Sequence, residues 1–140
     1  KAMSKYQINV DPSWIVETGL YVEEGEHTMQ RLIDNDDIPE AIFCVNDMTA
    51  LGAMRIVKKN GFSIPEDIAI VGFTETPFCP LVDPPLTSVH QPTFEIGQTA
   101  ARLLLKQMES ESYLIPETVV LNGTLNIRES SEKRKQTIPA

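Results

Sequence analysis

Ala41-Ile42-Phe43-Cys44-Val45-Asn46-Asp47-Met48-Thr49-Ala50-Leu51-Gly52-Ala53-Met54 and, further on, Ile68-Ala69-Ile70-Val71-Gly72-Phe73 form the stretch that decides the fold. Ala41 to Val45 and Ile68 to Phe73 are short continuous apolar runs, the mark of strands covered on both faces. Between them a helix runs from Asp47, a good N-cap, to about Asn60, where Gly61 supplies the left-handed terminator. Strand, helix and strand in this spacing make a βαβ unit with a right-handed crossover, and therefore an α/β protein built on a parallel sheet.

Working outward from that unit, Glu23 to Asp34 reads as a helix, with Met29, Leu32 and Ile33 spaced to face a core. Asn35-Asp36-Asp37-Ile38-Pro39 breaks it. Upstream, Trp14-Ile15-Val16 and Leu20-Tyr21-Val22 flank Gly19 and predict a short extended segment ending in a loop. Downstream, Pro77, Pro80, Pro84 and Pro85 make Thr74 to Pro85 a long loop. Leu86 to Val89 is a short extended piece, and Phe94 to Glu109 is a helix. Thr118 to Leu121 and Thr124 to Ile127 flank Asn122-Gly123, which predicts a hairpin. Glu129 to Ala140 is polar and reads as a surface tail, so the folded domain is placed at 1–128 and the tail at 129–140.

Composition narrows the function. The 140 residues are 41% hydrophobic and 23% charged, enough to bury one core and too apolar for disorder. Lysine and arginine number 12 against 20 acidic residues, a net charge of −8 that repels phosphate backbones. The chain is therefore not expected to hold nucleic acid by itself. No run approaches the ~18 apolar residues of a membrane span. Lys1-Ala2-Met3-Ser4-Lys5 carries no apolar core of a secretion signal, which together with two unpaired cysteines points to the cytoplasm. Cys44 and Cys79 lie in apolar settings without a CxxC or histidine neighbour and read as reduced structural thiols.

Catalysis is not expected. There is no GxSxG, HExxH, P-loop or GxGxxG pattern, and neither His27 nor His90 has a partner for metal or base chemistry. No catalytic residue, metal or cofactor is assigned. In an open parallel sheet, ligands bind outside the carboxyl ends of the strands. Val45 runs there into Asn46-Asp47, and Phe73 into Thr74-Glu75. Asn46 offers donors and acceptors and Thr74 a hydroxyl, which suits a polyhydroxylated or heterocyclic molecule. The plainer alternative is that Asn46 and Asp47 merely end a strand and cap a helix. The Asp47–Asn60 helix is apolar nearly all round, which leaves two readings: full burial inside one domain, or self-association through its outer face.

Residues 41–54, Ile64-Pro65-Glu66-Asp67-Ile68-Ala69-Ile70-Val71-Gly72-Phe73 and Pro84-Pro85-Leu86-Thr87-Ser88-Val89-His90-Gln91-Pro92 closely resemble, in order and spacing, segments of the LacI/GalR transcriptional regulators. The likeness covers about Leu20 to Ile127 and extends to the type I periplasmic sugar-binding proteins. It implies a three-layer parallel sheet of the type I periplasmic-binding-protein kind, mostly the C-terminal lobe of a truncated two-lobed effector-binding domain. DNA would be bound only through a domain missing from this chain. Residues 94–109 would be a helix belonging with the missing N-terminal lobe, leaving Phe94, Ile96, Ala100, Leu103, Leu104 and Met108 without their usual cover. The resemblance further implies a small effector, a carbohydrate or related metabolite, met by Tyr21 as the stacking aromatic and by Asn46, Asp47, Thr74 and Gln91. Thr74 stands where the family commonly has an aspartate. A homodimer is implied, with Leu51, Arg55 and Val82 at its interface. The alternative is a periplasmic sugar-binding protein of a transport system.

Overall fold

The computed structural model describes residues 2–109 and 116–132. The elements in chain order are α1 (Ala2–Lys5), α2 (Val22–Asp34), β1 (Ala41–Phe43), α3 (Asp47–Lys59), β2 (Ala69–Thr74), β3 (Thr87–His90), α4 (Thr93–Glu109) and β4 (Thr124–Asn126). The sheet runs β1-β2-β3-β4. β1, β2 and β3 are parallel, in register Phe43 with Val71 and Val71 with Thr87, while β4 returns antiparallel against β3. The mixed α/β sheet, mostly parallel, is the one expected from residues 41–73.

Side chains alternate across the strands, so Ile70, Gly72 and Ser88 share the face that meets α3. Ile68, Ile70 and Leu86 are wholly buried there with Ala50 and Val57 of α3 and, almost so, Met29 of α2. α3 ends as expected: Gly61 takes φ +85°, which glycine adopts without strain. Its start differs from expectation. The cap is Asn46, whose Oδ1 accepts from Thr49 N at 2.8 Å and Thr49 Oγ1 at 2.7 Å. Asp47 is the first helical residue instead, because its carboxylate turns inward.

α3 does not keep an apolar outer face. Eight of its residues, from Asp47 to Val57, are buried, because α2 packs along it where the sheet leaves it. Leu51 and Val82 are half-buried and Arg55 is exposed, with Arg55 paired to Glu26 at 2.6 Å. The two helices close on each other through glycine. A Cβ at Gly25 would overlap the Thr49 carbonyl, and one at Gly52 the Val22 carbonyl.

Several local expectations give way to tertiary contacts. β1 is an edge strand, with Phe43 65% and Val45 53% exposed, and Phe43 meets Phe73 edge-on at 6.3 Å. It is therefore not covered on both faces by the described residues. Pro12–Trp14 forms a single 3-10 turn capped by Asp11, and Trp14 and Ile15 are exposed, so the predicted extended segment there is not a strand. The Asn122-Gly123 hairpin does not form. Thr124–Asn126 pairs with the free edge of β3, and Gly123 permits the approach: a Cβ there would stand 2.9 Å from the His90 carbonyl. A ladder along an existing strand satisfies more backbone groups than an isolated hairpin.

Contrary to the expectation of a polar tail, the stretch from Glu129 is not all surface. Ser130 is fully buried between the starts of β2 and β3. Its hydroxyl donates to Ile70 O at 2.6 Å and accepts from Thr87 N at 2.8 Å, and its carbonyl accepts from Ile70 N at 2.8 Å. Residues 133–140 lie outside the described residues. α4 has no buried residue, and its Phe94 and Met108 are 76% and 73% exposed, in line with an apolar face that lacks cover here.

Both cysteines are free and buried. Burial pushes the Cys44 thiol from its ordinary 9.0 up to about 12, and the nearby Asp47 charge adds to it. At pH 8 the thiolate is then about one part in 10⁴. We expect iodoacetamide at pH 8 to leave native Cys44 unmodified and to alkylate it fully in urea, as peptide mass spectrometry would show. The unfolded thiol ionises first, so Cys44 also lowers stability as pH rises above about 9.

Candidate functional site

The carboxyl ends of β1, β2 and β3 form one rim. Phe43 pairs with Val71, so Asn46 and Thr74 each lie three residues past the same rung. Thr74 pairs with His90, one residue before Gln91. The side chains of Thr74 and Gln91 come together, Gln91 Nε2 standing 3.5 Å from Thr74 Oγ1, long for a hydrogen bond. Both are half-buried.

Asn46 ties a second pair of candidates. Its Nδ2 donates to the Leu20 carbonyl at 2.9 Å, which brings Tyr21 to the same end of the sheet. Tyr21 is 69% exposed at the start of α2, its backbone N–H capped by the Glu24 carboxylate at 2.8 Å. The ring is therefore presented outward from a fixed backbone. Asn46 is largely committed to its cap, and its contribution to a ligand is at most the remaining amide hydrogen. The structural reading of Asn46, as the residue that ends a strand and caps a helix, is the one these bonds show.

Asp47 does not belong on the rim. It is 1% exposed, with Oδ1 accepting from Ser88 Oγ at 2.5 Å and Oδ2 from Thr76 N at 2.6 Å. Both oxygens point into the body, and the start of α3 favours a carboxylate there through its dipole. Its assignment as an effector contact is corrected on this ground.

Glu75 is likewise spoken for. Its carboxylate is gripped by both terminal nitrogens of Arg128, and Arg128 also donates to Leu86 O at 2.7 Å. The side chains are only 12% and 21% exposed, and the contact with Glu75 raises the Arg128 pKa further. The side chains left at the rim, those of Thr74, Gln91, Asn46 and Tyr21, are uncharged.

Thr74 and Glu75 take φ +128° and +64°, the left-handed side that costs non-glycine residues about 1–3 kcal/mol each. Sequence reasoning did not single out Ser88, Thr76 or Arg128, which surround this turn. Ser88 carried a faint signal, a small polar residue on the inward side of an alternating strand. Arg128 carried none, since its partner Glu75 is remote in sequence. A separate cavity of about 480 Å³, lined by Lys58, Phe62, Glu66, Asp83 and Glu132 among others, lies where α3 ends, away from the rim. Among the described residues no group of three or more His, Cys, Asp or Glu could hold a metal ion, and no helix is long and apolar enough to cross a membrane.

A parallel sheet with neutral hydrogen-bonding side chains at its strand ends defines the open α/β class whose ligands sit at that edge. The chain belongs to the periplasmic binding protein-like domain family, matched over residues 1–131, in the form found in LacI/GalR-type regulators. It is 40% identical over 111 residues to the HTH-type transcriptional repressor CytR of Escherichia coli strain K12, covering 79% of this chain and 33% of that protein. The repressor PurR of Haemophilus influenzae strain PittEE is 35% identical over 108 residues, covering 77% and 32%. Among solved structures, the cellobiose complex of the transcriptional regulator CelR superposes with a TM-score of 0.85 at 31% identity, over 93% of this chain and 39% of that one. A LacI-family regulator from Enterococcus faecium with bound ribose gives 0.78 at 32% identity, over 96% and 49%. The chain thus spans about a third of the length of the curated relatives it matches.

Proposed function

We propose that this chain is the effector-sensing part of a cytoplasmic LacI-type transcriptional regulator. It contributes one wall of a cleft that takes a small uncharged molecule, a sugar or related metabolite. The meeting of Thr74 with Gln91 on the rim of the parallel sheet carries this reading. Cellobiose and ribose in two similar regulators support a carbohydrate. Tyr21 would stack on the ligand, while Thr74, Gln91 and the spare hydrogen of Asn46 would bond its hydroxyls. A threonine in place of an aspartate accepts without a full charge, so the grip on hydroxyls is weaker and less selective for sugars. The relatives named above are regulators, which supports this reading over a transport protein. DNA would be bound through a separate domain, and pairing of two copies through Leu51, Arg55 and Val82 would join the sensor halves.

Closure of such a cleft shifts an open–closed equilibrium by the ligand's differential affinity for the two states. Calorimetry on the whole regulator tests the wall, starting with cellobiose and ribose and extending to nucleosides. Thr74→Val is expected to weaken binding about tenfold, the worth of one hydrogen bond to a neutral ligand. Asn46→Ala is expected to weaken it as well, with loss of the α3 cap. Affinity unchanged by Thr74→Val would remove this rim from the site.

A further inference from the structure

We propose that Asp47 and Ser88 are positioning residues that hold the Thr74–Glu75 turn in its left-handed form and so aim Thr74 at Gln91. Two successive residues with side chains take φ +128° and +64°, a conformation that neither reaches readily alone. Such a turn persists only where its surroundings over-determine it.

The surroundings here are a single chain of hydrogen bonds centred on two buried side chains. Glu75 N donates to Ser88 Oγ at 3.2 Å, Ser88 Oγ donates to Asp47 Oδ1 at 2.5 Å, and Thr76 N donates to Asp47 Oδ2 at 2.6 Å. The amides of Glu75 and Thr76 are thus clamped from β3 and from the start of α3. Ser88 is 0% and Asp47 1% exposed, so water does not compete for the bond between them. The carboxylate has room because residue 72 is glycine: a Cβ there would overlap Asp47 Oδ1. The clamp ties β3 and the start of α3 to the one turn that carries Thr74. Its relevance to ligand binding rests on the reading of Thr74 and Gln91 given above; the clamp itself is tested without any ligand.

The test is residue-resolved amide hydrogen exchange on the unliganded chain. Ser88→Ala leaves the acceptor of Thr76 N, the Asp47 carboxylate, in place, so exchange at Thr76 reports the turn and not a deleted bond. It is expected to rise at least tenfold, with the α3 amides from Ala53 to Val57 unchanged. Ser88→Cys fills the site with a slightly larger, poorly hydrogen-bonding group and should act in the same direction. Adding Thr74→Gly to Ser88→Ala should bring Thr76 exchange back to within about threefold of the unaltered chain, because glycine takes φ +128° unaided. A purely packing role for Ser88 would not be rescued at a distance in this way. Thr76 exchange that stays unchanged in both Ser88 variants, or that Thr74→Gly fails to restore, overturns the proposal. The calorimetry of Thr74→Val judges the binding reading separately.

Discussion

Gly52→Ala is expected to destabilise the chain by about 3 kcal/mol or more, the upper range for overpacking a rigid contact. A Cβ at Gly52 would overlap the Val22 carbonyl and stand 2.8 Å from Glu26 N, so the methyl meets backbone of α2 on both sides. Gly25 repeats the contact from the other helix, with Thr49 Cα 2.9 Å from its would-be Cβ. Neither side has a flexible side chain that could yield. The sign of the effect is the decisive feature. In an unobstructed helix, alanine is favoured over glycine by about 1 kcal/mol. Gly97, in α4 with nothing within 4 Å of its would-be Cβ, provides that control and should gain stability on the same change. Urea denaturation followed by circular dichroism measures both. A Gly52→Ala chain more stable than the original would mean that α2 and α3 do not cross this closely.

Arg128→Met is expected to cost about 3 kcal/mol, because it strands the Glu75 carboxylate at 12% side-chain exposure and removes a donor from Leu86 O. Breaking one side of a buried pair costs more than the pair is worth, since the remaining charge stays out of water. Arg128→Met combined with Glu75→Gln is therefore expected to recover a large part of the loss. Denaturation midpoints of the two single variants and the double variant close the cycle. If the double variant loses as much as the sum of the singles, the two side chains do not act as a pair.

The βαβ unit was legible because its signals are local and agree with one another. Apolar runs too short for helices, a polar junction at Asn46-Asp47 and glycine at 61 all point the same way, and the parallel register of β1 and β2 follows. The rim was legible for the same reason, as strand ends are marked by the change from apolar to polar residues. Asp47 was misplaced because a carboxylate at a helix start looks alike whether it faces solvent or the core. Only Ser88 and Thr76, distant in sequence, reveal its direction. The apolar girth of α3 was read correctly as needing more than a sheet, but what covers it is α2 of the same chain. That partnership depends on Gly25 and Gly52, whose spacing says nothing until the helices are laid together.

The failed hairpin and the buried Ser130 have one cause. Asn122-Gly123 is a strong local turn, yet β3 offers an open ladder and Gly123 lets the chain lie against His90. Ser130, in a polar stretch, fills a gap between two strand starts that exists only once the sheet is built.

By itself, then, the sequence determined the element order, the parallel α/β class and where the parallel strands end in polar residues, because periodicity and terminators act over a few residues. The tertiary structure alone decided which carboxylates are silenced, which glycines set the helix crossing and which strand β4 joins. Those outcomes depend on groups brought together from remote parts of the chain, where burial, and not local preference, fixes each hydrogen bond and each contact.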